Sequence, residues 1–129
     1  MAQRERRDDG PAYAAVVAYD EVLANRIRTA LSDESGLTER AMFGGLGFML
    51  DGHMAVAAGS GGSLMVRVDP DDAADLVDGE AVTYMEMGGR SLHGWLLVGS
   101  ACAADDDTLG RWVQRGVAFV RALPPKQQA

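Results

Sequence analysis

Cysteine, histidine and lysine are nearly missing from this 129-residue sequence, which has one cysteine, two histidines and a single lysine, Lys126. The one thiol, Cys102, forms no intramolecular disulfide, and small secreted domains usually carry several, so a reducing compartment, the cytoplasm, is expected. With no lysine beside its glycines the chain has no Walker phosphate loop. His53 and His93 do not make a ligand-spaced pair, so no metal site is legible. No run approaches the ~18 apolar residues of a membrane span. The N-terminal stretch interleaves Arg4, Arg6 and Arg7 with Glu5, Asp8 and Asp9 where a signal peptide would need an apolar core. No membrane association is expected. Bases are outnumbered too: 12 against 19 acids give a net charge of −7, which opposes non-specific attraction to phosphate backbones. Direct nucleic-acid binding is not expected, even from the arginine face formed by Arg111, Arg115 and Arg121.

What is present suits one folded domain. The chain is 47% hydrophobic and 24% charged, enough apolar surface for a single core and too little length for two. Residues 1–18 read as a flexible N-terminal segment, 19–124 as the domain, and 125–129 as a flexible tail. Leu23, Ile27, Ala30 and Leu31 recur at helical spacing, with Val16 and Tyr19 extending the stripe backwards and Asp20 as a candidate N-cap. From residue 40 the pattern changes to short apolar runs separated by glycine and aspartate. Strands are expected over 40–43, 46–50, 54–58 and 64–68, with a tight reversal at Asp51-Gly52-His53 and a longer glycine loop over 59–63. Asp69-Pro70 opens a short helix over 71–77 by the cap-then-proline rule. Strands over 82–87 and 92–98 flank Gly88-Gly89-Arg90. A last helix follows Asp105, Asp106 and Asp107, with Leu109, Trp112, Val113, Gly116, Val117, Val120 and Leu123 on one face. The order α-β-β-β-β-α-β-β-α predicts an α+β fold: two layers, an antiparallel sheet of five to six strands with helices on one face.

Alternation along the strands bears on function. In 64–68, Leu64, Val66 and Val68 share one face, leaving Met65 and Arg67 on the other. In 92–98 the second face receives His93, Trp95 and Leu97. A two-layer protein would leave Met65, Trp95 and Leu97 partly uncovered, and exposed apolar patches of this kind usually mark interfaces.

Catalytic chemistry has little support. Gly44, Gly45, Leu46 and Gly47 invite a phosphate-loop reading, but the dinucleotide fingerprint fails at its third glycine, where Leu50 stands. A bulge or tight approach of strands is the plainer role. Ser60, Ser63, Ser91 and Ser100 sit in no nucleophile elbow. The paired carboxylates Asp71 and Asp72, and the Asp105–Asp107 run, read as helix-start residues. Cys102, among alanines, reads as inert packing.

The run RAMFGGLGFMLDGHM from Arg40 to Met54, then LMVRV from Leu64, then GRSLHGW from Gly89, resembles the N-terminal domain of the TfoX/Sxy family. The stretch from Trp112 to Leu123 is similar to the closing helix of short members, and the likeness spans residues 19–126. It implies a sheet of the kind grouped with type III secretion chaperones. Named members of the family promote natural competence by helping a cyclic-AMP receptor protein at certain promoters, and carry a further C-terminal domain for which a chain of this length is expected to have no room. The family brings no catalytic residues and no cofactor to carry over.

The expectation is therefore a small cytoplasmic, non-enzymatic protein-binding module, regulatory or transcription-accessory in role. Its partner is another protein or a second copy in a homodimer, met by the surface of Met65, Arg67, His93, Trp95 and Leu97. The alternative is a small-molecule site or hydrolase built around Gly44–Gly47, His53 and His93, which requires those residues to converge across neighbouring strands.

Overall fold

A computed structural model describes residues 20–42, 44–59 and 61–124. Helix α1 spans Glu21–Ala30, four strands follow as β1 Leu37–Met42, β2 Gly45–Leu50, β3 His53–Ala58 and β4 Leu64–Arg67, then α2 Pro70–Leu76, β5 Val82–Met87, β6 Arg90–Val98 and α3 Asp106–Arg121. The fold is α+β, with the expected element order. The stripe extension through Val16 and Tyr19, and the expected terminal segments 1–18 and 125–129, lie outside the described residues.

An aspartate opens each helix. Asp20, Asp69 and Asp105 accept from the backbone N–H of Leu23, Asp71 and Thr108 at 3.0, 2.8 and 2.9 Å, which satisfies donors that a helix start leaves without intrahelical partners. Pro70 takes the first helical position of α2, where the missing N–H costs nothing. Two tight hairpins whose turns are fully described share one backbone feature. Asp51-Gly52 joins β2 to β3 with φ of 50° and 88°, and Gly88-Gly89 joins β5 to β6 with φ of 61° and 79°. Two successive residues at positive φ match the twist of the flanking strands.

The six strands form one sheet, all neighbours antiparallel, in the order β1-β2-β3-β4-β6-β5. The final hairpin thus folds back so that β6 pairs with β4 and β5 takes the edge. Strand β1 begins at Leu37, three residues before the expected start at Arg40, because polar Thr38, Glu39 and Arg40 at an edge give no apolar signal. The register aligns Leu46, Ala58, Leu64, Val98 and Val82 across five strands, and Phe48, Val56, Val66 and Leu96 in the next row. These rows are buried and meet Leu23 and Ile27 of α1, Ala73 of α2, and Leu109, Val113, Val117 and Val120 of α3. All three helices therefore serve one side of the sheet.

Helix α3 lies close against β3. A β-carbon at Gly116 would collide with the carbonyl oxygen of Ala55, so the helix sits where only glycine fits. Its C-terminal end is pinned by Arg121, which donates to Asp51 at 2.9 Å, Glu34 at 3.0 Å and the Ser35 carbonyl at 2.7 Å. Replacing Gly116 with valine should lower unfolding stability by ~1–3 kcal/mol through overpacking, measured by urea denaturation; an unchanged midpoint would contradict the close approach.

Three carboxylates are held below their ordinary range. The Arg28 guanidinium donates to both oxygens of Glu39, at 2.7 and 2.8 Å, and lowers its pKa. The backbone N–H groups of Val82 and Glu80 do the same for Asp78, and the N–H and hydroxyl of Thr108 for Asp105. A depressed folded pKa adds stability that is present above the unfolded carboxylate value and lost as pH falls through the folded one. The thermal midpoint should therefore fall on acidification below about pH 4.5, and R28Q should reduce that acid dependence. A midpoint that rises between about pH 5 and 3 would contradict the assignment.

Candidate interaction surface

The face of the sheet turned away from the helices is covered by no described element. Its floor and walls come from the alternate residues of the same strands. Gly45 and Gly47 of β2 and Ala57 of β3 contribute almost no side chain, while Met54, Met65, Met85, Met87, Leu92 and Trp95 stand around them and enclose a trough of about 240 Å³. Met87 is the most open of these, 47% exposed.

The glycines of the GGLG element are what make room. A β-carbon at Gly47 would stand 2.8 Å from the Met54 methyl carbon and 3.1 Å from its sulfur. One at Gly45 would meet the Ala58 carbonyl oxygen at 2.8 Å and the Met65 methyl at 3.5 Å. The methionines thus lie down over positions where the neighbouring strand has nothing to offer, a packing that suits their unbranched, flexible thioethers. Gly45 and Gly47 sit within a strand and face methionines, a close approach of strands.

Of the residues the sequence points to, Met65 and Trp95 line the trough. Leu97 lies beside them by register, opposite Met65 and half-buried, outside the trough itself. Arg67 pairs with Trp95 across β4 and β6, and its guanidinium carbon lies 5.9 Å from the Trp95 ring centre and 5.3 Å from that of Phe119 on α3. His93 is placed differently. The register of β5 and β6 shifts between Tyr84 and Met85, so that Tyr84 faces Leu96 while Met85 faces Leu92. That irregularity breaks the alternation between Leu92 and Trp95. Leu92 enters the trough, and the exposed His93 packs at a tilt against Tyr84, ring centres 4.9 Å apart. Simple alternation misses Leu92 for this reason. Met54, Met85 and Met87 also line the trough, and the spacing of Met85 and Met87 along β5 is the signal in the sequence that places them on one face.

The residues of the alternative site are not brought together. His53 Nε2 donates to the Pro124 carbonyl at 2.7 Å, His93 is engaged with Tyr84, and Gly47 faces Met54. Among the described residues no group of three or more His, Cys, Asp or Glu side chains is placed to hold a metal ion, and no helix is long and apolar enough to cross a membrane. A larger groove, about 860 Å³, runs between α1 and α3 past Arg26, Arg111 and Arg115. Its arginines have partners within the chain: Arg26 donates to Asp106 at 2.8 Å, Arg111 to Thr108 at 3.3 Å, and Arg115 lies 5.8 Å from the Trp112 ring centre.

The model of the TfoX N-terminal domain matches residues 29–120, from the last turn of α1 to the last turn of α3. The chain belongs to the TfoX N-terminal domain family. No curated protein and no solved structure matches it. The matched region includes all six strands, and so the whole of the open face of this TfoX N-terminal domain, its glycine floor and its methionine walls.

The two floor glycines should respond differently to substitution. G45A drives a methyl group into a backbone carbonyl and should cost ~1–3 kcal/mol. G47A meets only the movable end of Met54 and should cost less than about 1 kcal/mol. Urea denaturation of the two variants measures both, and an equal or reversed order would contradict the packing.

Proposed function

We propose that this TfoX N-terminal domain is a non-enzymatic, cytoplasmic protein-binding module that works through the open face of its sheet, in a regulatory or transcription-accessory role. One observation supports the reading: an apolar trough of methionines with a tryptophan at its side, uncovered among the described residues. Burying such surface drives association, Trp is enriched among residues that dominate interface energies, and Met walls adapt to the shape they receive. The trough is small beside the about 300–1,000 Å³ usual for a small-molecule site. It suits the seating of a side chain presented by another protein.

Availability of the face is directly measurable. The chain has two tryptophans, so in a W112F variant Trp95 reports alone. Its emission should be quenched readily by acrylamide at low protein concentration, with sedimentation over the same range showing whether a second copy takes the face. A monomer whose Trp95 is shielded at every concentration would contradict the proposal.

A further inference from the structure

The charges on the open face run against those of the whole chain. By register it carries Arg40 opposite Gly47 and Arg90 opposite Met87, with Arg67 opposite Trp95 at the end of β4, where its guanidinium also reaches Phe119 of α3. No aspartate or glutamate occupies a position on that face among the described residues. Glu39 lies on the other side, bonded to Arg28, and Glu86 alternates away from Met85 and Met87. In a chain of net charge −7, the face with the methionine trough thus carries arginines and no acid among the described residues.

Among the described residues none of the three has an ion pair, whereas Arg26, Arg28 and Arg121 are all bonded to carboxylates. Arg67 is the most constrained. It is half-buried with its guanidinium near two aromatic rings, so it is held in place with its donors unpaired by any carboxylate among the described residues.

Resting on the protein-binding reading, we propose that the partner is an acidic segment of another protein, with large apolar side chains that enter the trough while its carboxylates meet Arg40, Arg67 and Arg90. Charge complementarity selects this occupant over a second copy. In a two-fold dimer the same patch faces itself, so arginines would meet methionines and arginines and no carboxylate. The net negative charge of the domain opposes the approach of such a partner only at long range. At physiological salt the screening length is about 8 Å, so at contact the arginines govern. They set orientation and selectivity, and the trough supplies burial.

The test is selection of random sixteen-residue peptides displayed against the full chain at physiological salt, followed by affinity measurement on the wild type, on R40Q/R67Q/R90Q and on W95A. Enriched peptides should be net acidic with at least two large apolar residues, and should bind roughly tenfold more weakly to either variant and more weakly as salt is raised. Circular dichroism confirms that each variant is folded; a double R40Q/R90Q variant, which leaves the Arg67 ring contacts intact, should still lose affinity. Enrichment of neutral or basic peptides indifferent to the arginine changes would overturn the acidic partner and leave the docking face standing. Self-association that shields Trp95 as concentration rises would assign the face to a second copy instead. No enrichment and no self-association would overturn both this proposal and the protein-binding reading beneath it.

Discussion

Where α3 crosses β3, the backbone of the helix comes so near the strand that only Gly116 fits over the Ala55 carbonyl. That contact settles more than a local distance. It lays the Leu109, Val113, Val117 and Val120 stripe across the middle strands, leaves α1 to fill the space beside it, and commits the apolar surface of every helix to one side of the sheet. The sheet is then sealed on one face only. Whatever stands on the other face must be tolerable to water, or covered from outside the described elements.

The strands solve this in an economical way. Small residues at Gly45, Gly47 and Ala57 remove bulk from the centre of the open face, and methionines from both sides recline into the space. The apolar area is drawn inward and partly self-covered, while remaining deformable. The rim carries arginines that no carboxylate among the described residues neutralises. Acidity is gathered elsewhere, at the exposed aspartates around α2 and at the start of α3. Among the described residues an acidic protein keeps one face free of acid, and that division of charge is what gives the greasy surface a direction.

Much of the architecture was legible because it rests on local chemistry. Aspartate before each helix, Asp-Gly and Gly-Gly at two of the tight hairpins, and the switch from helical to alternating spacing after residue 40 each act within a few residues. Pairing of β6 with β4 was not legible, since nothing within the last hairpin says which of its strands lies inward. The site was half legible for a related reason. Met65 and Trp95 follow from strict alternation, but the irregularity opposite Tyr84 and Met85 interrupts it, sending Leu92 into the trough and His93 onto Tyr84. The glycines of the MFGGLGF run resisted reading for another reason. Their purpose lies in what occupies the space above them, which comes from β3 and β4.

The central claim is that the methionine face stays open to solvent in the free protein. Carbon-13 methyl NMR of the full chain with a neutral gadolinium chelate tests it most directly. The account predicts strong relaxation of the Met65, Met85 and Met87 methyl signals, approaching that of exposed Val22 and far above that of buried Val66. Methionine methyls as protected as Val66 in dilute protein would contradict it.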